Sequence, residues 1–216
     1  MNIDKSLPTI LSASMNYRYE IIDKTICYNG FMRMEKYRLR HQLFSGGCSP
    51  KIERECLERG HAVAVLPYDP QGDQVILIEQ FRIGALASSQ SPWLLEIVAG
   101  IIGAGESKEQ VAQRETLEEA GCQLLDLVPI CEYLLSPGGC SETIALFCGR
   151  VDASQAGGVH GLAEEHEDIR VHVLPFKEVL GLLYNGNINS ATAIIALQWL
   201  ALNRKALLAK WQTINA

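Results

Sequence analysis

Short apolar runs bounded by turn residues recur along this chain, and once they give way to a helical period. Residues 61–66 (HAVAVL) and 74–79 (QVILIE) read as strands joined by the turn Asp69-Pro70-Gln71-Gly72-Asp73. A further strand is predicted over 93–99. A helix follows over 107–120: Ser107 and Gln110 stand at the spacing of a capping box, and Gly121 sits where a left-handed cap belongs. Strands are predicted around 124–135, 144–151 and 169–173, then helices over 176–184 and 191–209. Between the last two strands, the turn-rich stretch 152–168 is long for a connection in a compact domain, and such loops are often functional. Upstream, residues 17–40 interleave Glu20, Asp23, Lys24, Glu35, Lys36 and Arg38 with apolar neighbours, as half-exposed antiparallel strands do. The stretch 44–50, with Gly46, Gly47 and Pro50, reads as a connector. The sum is a mixed sheet flanked by helices, in the α/β (α+β) class.

Composition changes this picture mainly by exclusion. A chain of 216 residues, 48% hydrophobic, suits one globular domain or a compact domain with an N-terminal extension. Its formal net charge is -6 and no Lys/Arg-rich run interrupts it, which disfavours duplex nucleic acid. A small diphosphate stays open as a ligand, because bound cations can supply the missing positive charge. The N-terminus lacks a basic start followed by a sustained apolar stretch, so no signal peptide is expected. The best apolar run, 191–202, is interrupted by Gln198 and too short to span a bilayer, so no membrane partner is expected. Seven scattered cysteines without a C-x-x-C pair fit reduced thiols in the cytoplasm.

The strongest chemical signal is 100–121, GIIGAGESKEQVAQRETLEEAG. On a helix Glu115 and Glu119 are four residues apart and Glu118 is three from Glu115, so all three share one broad face. Like charges at that spacing repel by roughly a few tenths of a kcal/mol per pair. The following turn holds Cys122 and Gln123, neither a counter-charge. A merely solvated acidic face explains solubility and leaves the repeated repulsion without a purpose. Carboxylate oxygens gathered near one point are what a hard divalent cation needs, and Mg²⁺ keeps positions for water and phosphate oxygens.

The whole spacing resembles the Nudix hydrolase family, whose box reads G-x5-E-x7-R-E-U-x-E-E-x-G-U with U bulky and apolar. Gly100, Glu106, Arg114, Glu115, Glu118, Glu119 and Gly121 fall in register, and Thr116 and Cys122 depart at the two U positions. The resemblance implies a Nudix-type α/β/α sandwich with a mixed sheet over 56–216, preceded by a small antiparallel β subdomain over 1–55. It implies Glu115 and Glu119 as principal metal ligands, the Ala99 carbonyl as a further ligand, and Glu118 assisting through the metal or its waters. Arg114 would orient the acidic cluster by charge-assisted hydrogen bonds. Glu106 would hold the loop against the helix, and Gly100 and Gly121 would serve backbone geometry. The implied cofactor is Mg²⁺, with Mn²⁺ as the substitute ion.

From Arg54 onward the chain is similar to the bacterial ADP-ribose pyrophosphatases, above all in PWLLEIVAG before the box and SPGG-x-SE after it. Pro137 occupies the place of a proline that marks ADP-ribose specificity there; read alone, Ser-Pro-Gly-Gly is an ordinary turn. Residues 160–168 resemble the subfamily's HGLA-x-E-x-E-D loop, which implies Glu165 as general base on the attacking water and Glu167 as a metal ligand, with Glu164 a neighbouring acid. Register further suggests Arg82 on the diphosphate and Glu142 on the terminal ribose. Phe31 and Arg54 would sandwich the adenine, with a core Phe31 and a surface Arg54 as the plain alternatives. His160, His166 and His172 fit no zinc spacing. The expected activity is Mg²⁺-dependent hydrolysis of ADP-ribose to AMP and ribose 5-phosphate, by a homodimer built through the N-terminal subdomain. The alternatives are another nucleoside diphosphate sugar such as GDP-mannose, a nucleoside triphosphate, or a non-catalytic nucleotide-sensing module. Such modules commonly lose box carboxylates, and here all three are present.

Overall fold

The computed structural model describes residues 17–87 and 91–213. The first sixteen residues, which open the expected 1–55 subdomain and carry the expectation of no signal peptide, lie outside the described residues. Backbone packing divides the chain into two units. One reaches to Arg59 and includes Ser136–Ser141; the other comprises Gly60–Leu135 and the chain from Glu142 onward.

The first unit is a three-stranded antiparallel sheet, β1 (Tyr19–Asn29), β2 (Arg33–His41) and β3 (Ile52–Glu58), in that order. The third strand was not expected from IERECLE, whose charges hide any alternation; pairing with β2 makes it a strand. On the central strand Glu35 is buried, accepting hydrogen bonds from Arg33 Nε and Tyr37 Oη at 2.8 Å each and pairing with Lys24 at 2.7 Å. A buried carboxylate is tolerable only with such partners. The turn 136–141 joins this unit through two backbone bonds: Leu57 N–H donates to Gly139 O at 2.8 Å, and Ser141 N–H to Leu57 O at 3.1 Å.

The second unit is built on β4 (Ala62–Asp69), β5 (Gln74–Phe81), β6 (Trp93–Glu96), β7 (Val98–Ile101), β8 (Asp126–Leu134), β9 (Thr143–Arg150), β10 (Gly158–His160) and β11 (Ile169–Pro175). The strand order is β10-β11-β5-β4-β9-β8, with β6 paired to β5 and β7 to β4. Among the described strands of this sheet only β4 and β9 pair in parallel, so the sheet is mixed. Helix α1 (Lys108–Ala120) covers one face, and α2 (Phe176–Tyr184) with α3 (Ala191–Thr213) covers the other. This explains the unbroken apolar run of β4. Ala62, Ala64, Leu66 and Tyr68 enter the core under α2 and α3, while Val63 and Val65 enter the core under α1.

Beyond shifts of a few residues at strand ends, three elements differ from the sequence expectation. The predicted strand 93–99 is two strands, because the chain changes partner from β5 to β4 at the buried Ile97. The stretch 152–168 contains β10 and a 3₁₀ turn over Ala163–Glu165. Helix α3 runs past 209 because Trp211 is buried, stacks 6.2 Å from Tyr68 and donates Nε1–H to Asp126 at 2.6 Å. No helix among the described residues is long and apolar enough to cross a membrane.

Candidate active site

Helix α1 is fixed at both ends by its own residues. Ser107 Oγ accepts from Gln110 N at 3.2 Å while Gln110 Oε1 accepts from Ser107 N at 2.8 Å, the reciprocal capping box. Gly121 closes the helix with φ 65°, and its N–H donates to Leu117 O at 3.0 Å. The two box departures pack without difficulty. Thr116 is buried with its hydroxyl donating to Ala112 O at 2.7 Å, and Cys122 fills the same core.

Arg114 is the counter-charge that the following turn lacks. Its Nε and Nη2 grip Glu106 at 2.9 and 3.1 Å, and its Nη1 reaches Glu115 at 2.6 Å and Glu118 at 3.1 Å. Glu106 also accepts Gly103 N–H at 2.9 Å, tying the box loop to the helix. The guanidinium holds the Glu106 carboxyl below its usual range, and Glu106 in turn raises Arg114.

Glu119 points into the sheet, 3% exposed, and its Oε2 accepts Ala99 N–H at 2.9 Å. Burial pushes its carboxyl up to about 8, further raised by Glu115 and Glu167 and pulled back by Ala99 N–H and Arg82. Burial also raises Glu115, against Arg114, with Glu118 and Glu167 adding to the rise. These mutual fields place Glu115, Glu119, Glu167 and Arg82 around one region. Gly100 leaves room there, since a Cβ at that position would overlap the Glu115 carboxylate and force that side chain to move.

The donor chemistry fits a hard divalent cation: oxygen atoms only, one buried and one partly buried carboxylate, and neighbouring acids that raise both. The cage is not closed as it stands. Among the described residues no three His, Cys, Asp or Glu side chains lie close enough to form one, and Arg114 holds Glu115. Arg114 contacts Glu115 through Oε1, so the second carboxylate oxygen is the one that could meet a cation.

The loop that carries the remaining acids is hooked to α1, since Gly161 N–H donates to Glu118 O at 3.2 Å. Glu167 Oε2 accepts Leu162 N–H at 3.1 Å, and Glu165 lies exposed at the end of the 3₁₀ turn, followed by His166 in a left-handed conformation. Arg82 donates Nε–H to Glu96 at 2.6 Å. Glu142 is buried beside the start of β9, 2% exposed. Phe31, Arg54 and Pro137 belong to the first unit. Phe31 is 89% exposed and not a core residue, and Arg54 is exposed with Nη1 donating to Glu53 O at 2.7 Å. Pro137 lies in a turn in which Gly139 and Cys140 N–H donate to Ser136 O. His160 and His172 have separate partners, Gly157 O and Glu79. Sequence reasoning missed Glu96; only its register opposite Ile78, a residue of the α1-side core, could have pointed to it.

A family model describing the NUDIX domain matches residues 58–197. The ADP-ribose pyrophosphatase of Escherichia coli (strain K12) is 50% identical over 192 residues, covering 89% of this chain and 92% of the relative. The ADP-ribose pyrophosphatase of Haemophilus influenzae is 46% identical over 196 residues, covering 89% and 90%. A solved structure described as an ADP compounds hydrolase superposes with a TM-score of 0.67 at 21% identity, over 88% of this chain and 96% of that one, which is a likeness of fold.

Proposed function

The chain belongs to the Nudix family, and on that premise we propose that it hydrolyses the diphosphate of ADP-ribose to AMP and ribose 5-phosphate with Mg²⁺ as its metal. It is a hydrolase, and its family implies dependence on a divalent metal. The carrying observation is the pair of α1 carboxylates, Glu119 buried and Glu115 partly buried, both raised by burial, in a chain half identical to an ADP-ribose pyrophosphatase.

Glu115, Glu119 and the Ala99 carbonyl would hold the cation, with Glu167 added from the loop and Glu118 assisting. When bound, the ion offsets the carboxylate charge and draws electron density from the diphosphate oxygens. Arg114 orients Glu115 and Glu118 and, through Glu106, keeps the box loop in place. Arg82 binds the diphosphate through its guanidinium. Glu165 accepts a proton as water attacks the phosphorus next to adenosine; a new P–O bond forms, the bridging P–O bond breaks, and ribose 5-phosphate departs. A base on an exposed turn can approach once charge in the site is cancelled. Glu142 receives the terminal ribose, and Phe31 and Arg54 the adenine, these three on motif resemblance. Residues 1–55 serve a homodimer and 56–216 form the hydrolase domain.

Initial rates on ADP-ribose, GDP-mannose and ATP under Mg²⁺ test this reading. ADP-ribose should exceed the others at least about tenfold in kcat/KM, within the span that a few polar contacts supply. A preference for GDP-mannose would overturn the substrate, and no turnover of any would overturn the enzyme.

A further inference from the structure

Arg82 is pinned by its backbone and steered by one acid. It follows β5 in extended conformation, and its N–H donates to Pro92 O at 2.9 Å, prolonging the β5–β6 ladder beyond Phe81 and Trp93. Side chains alternate along β5, so Arg82 shares the α1-side face with Ile76 and Ile78. Glu96 shares that face too, because it lies directly opposite Ile78. The Glu96 side chain is 16% exposed against 43% for Arg82, which makes the acid the anchored member of the pair. Its contact at 2.6 Å uses Nε alone, one of five N–H donors on the guanidinium. The outer edge of the group is thus oriented without being consumed.

We propose that Glu96 is a positioning residue that holds the Arg82 guanidinium beside the α1 carboxylates, ready to take the substrate diphosphate. This inference rests on the reading of Arg82 given above. A long, half-exposed side chain would otherwise have to be ordered when substrate binds, and the acidic cluster would draw it in directions of its own. Glu96 removes both costs before binding.

The test is a double-mutant cycle on ADP-ribose, read as KM and kcat, with binding of a nonhydrolysable ADP-ribose analogue measured by calorimetry. Losing one charge-assisted contact, E96A should raise KM and weaken the analogue about tenfold while kcat stays within about threefold. E96Q, whose amide oxygen can accept Nε–H, should recover most of the loss. E96D, too short to reach, should behave as E96A and replaces it if E96A does not fold. R82A should cost at least as much, and E96A added to R82A should cost nothing more. An E96A penalty that persists undiminished beside R82A overturns the inference and leaves the proposed function intact. A normal KM in R82A overturns it through its premise, with ADP-ribose hydrolysis still standing or falling on the substrate comparison.

Discussion

Replacing Glu119 by Gln removes a buried ionisable carboxyl and keeps the hydrogen bond that it accepts. The carboxylate is 3% exposed and its Oε2 lies 2.9 Å from Ala99 N, a donor that an amide oxygen satisfies equally. Burial moves the carboxyl from 4.5 to about 8 in the folded chain. At about 1.4 kcal/mol per pH unit, ionising it in place costs on the order of 5 kcal/mol, with relaxation of the site trimming that figure. The sign follows from proton binding. Between pH 4.5 and about 8 the unfolded chain has released this proton and the folded chain keeps it, so stability falls as pH rises and the full penalty stands above 8. The variant lacks that slope. Urea unfolding of metal-chelated protein, followed by circular dichroism at pH 5 and pH 9, measures it. E119Q should come within about 1 kcal/mol of the parent at pH 5 and exceed it at pH 9 by on the order of 2–5 kcal/mol, while hydrolysis is lost. A variant less stable than the parent at pH 9, or a gain identical at both pH values, would refute the reasoning.

Other substitutions probe the parts separately. G100A places a methyl group on the Glu115 carboxylate and should lower kcat about a hundredfold or more with the fold retained by circular dichroism; near-normal turnover would mean Glu115 tolerates displacement. E165Q should lower kcat by about 10²–10⁴ and leave KM within about threefold, whereas an unchanged kcat puts the base elsewhere. S107A removes the side chain that caps α1 and should cost about 1 kcal/mol in urea unfolding, with an unchanged midpoint counting against the cap.

How far the molecule could be read from its residues depended on whether the cause was local. Helix α1 carries its own punctuation in Ser107, Gln110 and Gly121, and both caps form as the spacing requires. The β4 run was readable as a strand, although only the helices on both faces explain why all of it is apolar. Strand β3 was not readable, because its charge-rich residues become a strand through pairing with β2. The break at Ile97 and the extension of α3 to Thr213 likewise depend on distant partners, β4 in one case and Tyr68 with Asp126 in the other. In the site, the acidic spacing was legible and its relief was not fully so. A counter-charge was sought after Glu119, whereas Arg114 supplies it from one residue before Glu115. Glu96 escaped notice because its meaning lies across two strands.

The central claim is that two carboxylates on one helix gather a cation beside a phosphoanhydride. Anomalous diffraction at the manganese edge, from crystals grown with Mn²⁺ and a nonhydrolysable ADP-ribose analogue, tests it most directly. The account predicts metal peaks within roughly 2–2.5 Å of Glu115 and Glu119 oxygens, with Arg114 still on Glu106. Bound analogue with no metal at those oxygens would contradict it.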